Sequence, residues 1–235
     1  MSGTVERYAG PLGWNLARNN VIVEGTSDVA YLTRASELHA AERGRHLLDG
    51  DLAIVASGQG DDGGVDGVNR RLNFFWQLAE GERDANGALL YRFIGLFDKD
   101  AAGRSAFAVA SRFDRRIQPY VDIFLLHPVM PVFTPGYDRS MEIAQVNVPF
   151  GRIDWEIEDL CSERIWATFT AEHPDAVISN HVAGGRRHRE LLPDRKPQLR
   201  RIFLEQATFA DASGFIGLLR MLRLYLGLQH DFVDT

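Results

Sequence analysis

Four short apolar runs alternate with three amphipathic segments through the first half of the chain. Val21-Ile22-Val23 closing on Glu24, Leu52 to Ala56, Phe93 to Phe97 and Val121 to Leu126 have strand length and are rich in β-branched or aromatic residues. Runs of that kind mark strands buried on both faces. Between them, apolar residues recur at helical spacing. They do so from Ser27 to about Arg43 (Val29, Leu32, Ala35, Leu38), from about Val68 to Ala79 (Leu72, Phe75, Trp76, Leu78) and from Ala101 to Arg116. Strands that alternate with helices need crossover connections, so the pattern predicts an α/β fold with a covered parallel sheet. Residues 1–20 look irregular, punctuated by Gly10, Pro11 and Gly13. After Leu126 the rhythm breaks. Pro128, Pro131, Pro135 and Gly136 separate short β-like runs as far as about Phe150, and from Trp155 onward the chain reads mostly helical, through Phe203 to Leu228. The expected organisation is a core over residues 1–127, with its N-terminal lead-in, and a C-terminal elaboration over 128–235 packed on it.

Composition sharpens this picture only in places. The 235 residues suffice for one large domain or a domain with an appendage. The single cysteine, Cys161, excludes an internal disulfide, no apolar stretch has the length of a membrane span, and a cytoplasmic protein is expected. Net charge is −6, but Gly184 to Arg201 holds seven basic residues against two acidic, a local +5 that leaves −11 for the rest. Such a strip is either a solvated helix face or a phosphate track formed by Arg186, Arg187, Arg189, Arg195, Lys196 and Arg200. An apolar stripe of Leu218, Leu219, Leu222 and Leu226 fits internal packing or a homodimer contact equally.

The candidate chemistry lies at strand ends. Glu24 stands where the first strand runs out, Gly25 allows a tight turn, Thr26 or Ser27 can cap the next helix, and Asp28 lies in its first turn. Taken alone, this stretch also fits a plain strand end with Asp28 complementing the helix dipole. The third strand ends in Asp98-Lys99-Asp100, whose carboxylates alternate along an extended backbone. In a doubly wound sheet of order 2-1-3-4, strands one and three are neighbours, and the crevice opens at their carboxyl ends. Glu24, Asp28, Asp98 and Asp100 would then converge. Crowded carboxylates raise one another's pKa unless neutralised, and a hard divalent cation neutralises them with oxygen ligands. With no Cys/His set at zinc spacing, Mg²⁺ or Mn²⁺ is the expected cofactor.

At these residues the chain resembles the topoisomerase–primase (Toprim) family, whose pattern is a glutamate after the first strand and Asp-x-Asp after the third. The resemblance covers about residues 19–127. It implies a Rossmann-like sheet and Mg²⁺-dependent chemistry on DNA or RNA phosphodiesters, with Glu24 and Asp98 catalytic. Phe97 to Arg104 looks like the primase version of the motif, but primases carry a catalytic platform ahead of it. Topoisomerases need a separate tyrosine domain. The spacing Glu24-x-x-x-Asp28 is similar to the overcoming-lysogenization-defect (OLD) nucleases, which add an acidic motif and a lysine beyond the sheet. Glu156, Glu158 and Asp159 supply the acidic residues, with Glu158 and Asp159 favoured as ligands, and Lys196 supplies the lysine. Without the resemblance, the same residues read as an exposed helix start and a surface or phosphate contact. OLD nucleases carry an ATPase domain. This chain has no Gly-x-x-x-x-Gly-Lys-Ser/Thr loop, so ATP control is expected to be absent or supplied by a separate ATPase partner. A Toprim core that only binds nucleic acid, and a primase-like nucleotidyl transferase, are the alternatives. The Gly58 to Gly63 loop spells a dinucleotide fingerprint but follows the second strand and carries Asp61 and Asp62, which would repel a pyrophosphate.

Overall fold

The computed structural model describes residues 3–58 and 63–230, so Gln59 to Asp62 of the glycine-rich loop lie outside the described residues. Four parallel strands, β1 (Asn19–Val23), β2 (Leu52–Ala56), β3 (Arg92–Phe97) and β4 (Ile123–Leu125), form one sheet in the order 2-1-3-4. Asn19 pairs with Leu52 on one side of β1 and with Arg92 on the other. The expected sheet and strand order are therefore present.

Alternation along each strand explains why these runs are uninterruptedly apolar. Ile22, Val55, Phe93 and Phe97 join one buried cluster, while Val21, Val23, Ile54, Ile94 and Leu96 join another. The first cluster is closed by α1 (Thr4–Ala9) and α3 (Gly64–Glu80), through Val5, Val68, Leu72 and Phe75, and by α4 (Ala101–Phe113), through Ala106 and Ala110. The second is closed by α2 (Thr26–Arg43), α6 (Glu163–Glu172), α7 (Lys196–Gln206) and α8 (Ser213–Tyr225). Tyr31 of α2 stacks on Phe215 of α8 at 5.1 Å and meets Phe203 of α7 edge-on at 5.2 Å. Leu218, Leu219 and Leu222 are buried in this cluster, so the leucine stripe packs internally. The C-terminal half thus completes the sheet's second face, and burial of these side chains supplies the main driving force for its docking.

Three segments depart from the pattern reading. Residues 4–12 are helical, an α-turn followed by a 3-10 turn at Gly10–Leu12. Between Pro128 and Phe150 there is no strand among the described residues; α5 (Arg139–Val146) is capped by Asp138, and a 3-10 turn follows at Val148–Phe150. Prolines had suggested broken strands, whereas the Asp138 cap on Met141 starts a helix. The mostly helical C-terminal region is interrupted by an antiparallel hairpin, β5 (Val177–Ala183) and β6 (Arg186–Leu191). Its turn is Gly184-Gly185, both with positive φ (+54° and +79°), as a tight two-residue hairpin turn demands. The basic strip is consequently a strand, a turn and the start of α7, not one helix face. No helix among the described residues is long and apolar enough to cross a membrane.

One glycine fixes the approach of α4 to β3. A Cβ on Gly103 would lie 1.9 Å from the Asp98 carbonyl oxygen, so only glycine lets the helix begin this close to the strand end. Gly217 of α8 is the opposite case: a Cβ there meets nothing within 4 Å. Gly103→Ala is expected to lower unfolding free energy by about 1–3 kcal/mol through forced displacement. Gly217→Ala should raise it by up to about 1 kcal/mol through helix propensity. Urea midpoints of the two variants check both signs.

Candidate metal centre

The site begins with backbone geometry. β1 and β3 lie side by side, and the Glu24 carboxylate reaches across to accept a hydrogen bond from the Asp98 N–H at 3.3 Å. Residues 74 positions apart are thereby joined at one sheet edge. Glu24 is held from the other flank as well. Its carbonyl accepts from the Ser57 hydroxyl at 2.8 Å and from the Gly64 N–H at 3.0 Å, and the loop glycine Gly63 makes room for that approach. Gly25 is extended, and Asp28 folds back so that its carboxylate accepts from the Gly25 N–H at 2.9 Å. Glu24, Asp28, Asp98, Glu158 and Lys196 all line one cavity of about 460 Å³, together with Gly58, Gly63 and Gly64.

Lys99 brings the distant acidic motif here. Its backbone pairs with that of Trp155 in both directions, at 2.8 and 3.1 Å, and its buried ammonium donates to the carbonyls of Phe150 and Ile153 at 3.1 and 2.5 Å. Burial and the nearby Arg104 pull the Lys99 pKa below its ordinary value. Arg104 adds a second tie, donating to the Lys99 carbonyl at 3.1 Å and pairing with Asp154 at 2.6 Å. The chain that follows delivers Glu156 in an extended conformation and then a 3-10 turn at Ile157–Leu160. Glu156 and Glu158 therefore both reach the Lys196 ammonium, at 2.7 and 3.4 Å. Helical pitch would have put Glu156 and Asp159 together. Instead Asp159 turns away, accepting from the Glu156 N–H at 2.9 Å and from the His188 ring at 2.7 Å.

The six acidic residues of the expected site thus divide. Glu24, Asp28, Asp98 and Glu158 face the cavity. Asp100 is the N-cap of α4, accepting from the Gly103 N–H at 2.6 Å, although its charge still pushes the Glu24 pKa upward. Asp159 belongs to the ion pair with His188, which ties the 3-10 turn to β6. The basic residues divide too. Arg200 donates to the Ser27 hydroxyl at 2.7 Å, beside the cavity. Arg189 is buried, paired with Glu163 at 2.5 Å and stacked 4.7 Å over Trp166. Arg195 lies 3.7 Å from its neighbour Asp194, and Arg186 and Arg187 stand on the hairpin, away from the carboxylates. Pattern reading missed the structural roles of Lys99, Glu156 and His188. The signal available for Lys99 was a lone lysine between two strand-end aspartates.

Electrostatics follow from burial. Burial raises the Glu24 pKa to about 7, with Asp100 and Glu156 adding repulsion. Asp28 is also raised to about 7, by burial and then by Glu158 and Glu24. Burial and then Glu24 and Asp28 hold Asp98 well above the carboxylate range, and burial raises Glu158 against the pull of Lys196. Burial works against the charge on Lys196, but Glu158 and Glu156 outweigh it, so the ammonium stays protonated. Among the described residues, no three acidic, histidine or cysteine side chains stand in an arrangement that could hold a metal ion as placed. The donor chemistry nonetheless suits a hard cation, since four carboxylates and no thiol or imidazole line the cavity. Glu24, Asp28, Asp98 and Glu158 are the side chains that could supply its oxygen ligands.

In comparisons with known proteins, no family model matches the chain, and no curated protein or solved structure matches it.

The pH dependence has a definite sign. Glu24 and Asp28 hold protons up to about pH 7 in the folded chain but only to their ordinary values of 4.5 and 3.8 when unfolded. Between these limits the native state binds more protons, so stability must fall as pH rises. In the presence of chelator, unfolding free energy should drop by on the order of 2 kcal/mol from pH 4.5 to pH 8. The drop should shrink in Glu24→Gln, as followed by urea titration at each pH.

Proposed function

We propose that this chain is a Mg²⁺- or Mn²⁺-dependent nuclease of the Toprim class that hydrolyses DNA phosphodiesters. One observation carries the reading: Glu24, Asp28, Asp98, Glu158 and Lys196 line a single cavity at the carboxyl edge of β1 and β3, where the strand order reverses. A divalent cation bound by those carboxylates would activate a water and stabilise charge developing on a phosphodiester oxygen. In hydrolysis the water oxygen bonds to phosphorus, the bond to the leaving oxygen breaks, and that oxygen takes up a proton. The chain's own residues prepare the place for this. Glu24 is fixed by Ser57, Gly64 and the Asp98 N–H. Asp98 is fixed by the close start of α4 at Gly103. Lys196 holds Glu156 and Glu158 while its side chain stays about one-third exposed, so a phosphate oxygen can accept from its ammonium. Arg200, next to the cavity through Ser27, adds positive charge on the side from which a backbone would approach. By the same resemblance, a separate ATPase partner would supply nucleotide control, in phage defence or DNA repair.

A second reading draws on the pairing of Lys196 with Glu156 and Glu158, which gives the cluster a counter-charge of its own. On that reading the centre is idle and the domain only binds nucleic acid. Nicking of supercoiled plasmid separates the two. The nuclease reading expects cleavage with Mn²⁺, none with chelator, and a loss of at least about 100-fold in Glu24→Gln, Asp98→Asn and Lys196→Met. No cleavage with any divalent metal, combined with DNA binding that Glu24→Gln leaves unchanged, would establish the idle centre instead.

A further inference from the structure

The turn that carries Glu158 to the acidic cavity borders a second and larger one with its next residues, Asp159, Leu160 and Cys161. This second cavity, of about 970 Å³, lies between the hairpin tip, α8 and residues 126–130. Its size falls within the range that holds small organic ligands. Its charge is positive after pairing. Asp159 is committed to His188, and Glu163 to Arg189, whereas the Arg186 and Arg187 side chains are exposed and make no hydrogen bond or ion pair among the described residues. Apolar side chains, among them Val129, Met130, Leu160, Leu218 and Met221, supply another part of the lining.

Gly217 adds an independent indication. It sits inside α8, where glycine costs helix stability on the order of 1 kcal/mol relative to alanine. Packing does not require it, because a Cβ there meets nothing within 4 Å. One turn earlier, Gly214 is required, since a Cβ would lie 2.5 Å from the Leu160 carbonyl oxygen. The helix therefore keeps open space at the cavity wall that the fold itself does not need.

We propose that this cavity is a ligand site for a nucleotide unit, with the phosphate on Arg186 and Arg187 and the flat ring system on the apolar wall beside Gly217. Guanidinium groups suit phosphate oxygens, and an apolar wall suits a base. The unit comes either from a free nucleotide or from the end of a nucleic-acid strand. The proposal stands apart from the metal-dependent activity, and its test needs no metal. The full chain in chelator is titrated by calorimetry with adenosine 5′-monophosphate, a 5′-phosphorylated thymidine tetranucleotide and inorganic phosphate. At least one nucleotide probe should bind at least 10-fold more tightly than phosphate. The Arg186→Ala/Arg187→Ala double variant and Gly217→Leu, which fills the open space, should each weaken that binding at least 10-fold. Glu24→Gln should leave it unchanged, and circular dichroism melting should show Gly217→Leu folded. Similar affinity for the two nucleotide probes assigns a free nucleotide, and a 10-fold preference for the tetranucleotide assigns a strand end. Binding no tighter than phosphate, or binding that survives Gly217→Leu, would overturn the proposal.

Discussion

Carboxylates do not gather in a buried cavity unless something opposes their repulsion, and much of this fold can be understood from how that is done. Lys196 is the only cationic side chain lining the acidic cavity among the described residues. It stands at the first position of α7, and Asp28 lies in the first turn of α2. Both helix N-termini add partial positive charge near the carboxylates. Even so, burial outweighs these contributions at Glu24, Asp28, Asp98 and Glu158, all of which are pushed toward protonation. Buried acids with raised pKa values recur at functional sites, although structural clusters show them too. That asymmetry accords with the proposed cation, which rests on the convergence of these side chains on one cavity.

The acidic residues reach the cavity by two different routes, and this difference explains what could be seen in advance. Glu24 and Asp98 are delivered by strands whose apolar runs are continuous because both faces of the sheet are covered, with Ile22 and Phe93 on one side and Val21 and Ile94 on the other. Period, strand length and order suffice to place them. Glu158 and Lys196 arrive instead through the Lys99–Trp155 bridge and the docking of α7, which are tertiary contacts with no local periodicity. Their participation could be guessed only by resemblance. The finer division was beyond either route. Whether Asp100 faces a cavity or caps a helix depends on the 2.6 Å bond to the Gly103 N–H, and Asp159 is diverted by His188 from a strand not anticipated at all. That hairpin was hidden because Arg186, Arg187 and Arg189 mask its alternation, leaving Gly184-Gly185 as its only strong local sign.

Gly103 shows how a motif that looks chemical can be architectural at the same time. In Asp98-Lys99-Asp100-Ala101-Ala102-Gly103-Arg104, only Asp98 lines the acidic cavity. Lys99 and Arg104 bind carbonyls and Asp154, Asp100 caps α4, and Gly103 permits the approach. These contacts hold one carboxylate in register with Glu24 and fasten the segment that carries Glu158. A group placed by so many independent ties loses little entropy when it engages a ligand, which is how a rigid scaffold prepares a binding site.

The Ile157–Leu160 turn joins the two cavities physically. A 3-10 turn has about three residues per turn, so consecutive side chains point about 120° apart. Glu158 consequently faces the carboxylates while Asp159, immediately after it, faces the hairpin and its histidine. Any displacement of β6 acts on Asp159 through the 2.7 Å bond to His188, and through the turn on Glu158 and its pairing with Lys196. The two cavities therefore share one wall element, in which the adjacent residues Glu158 and Asp159 line one cavity each.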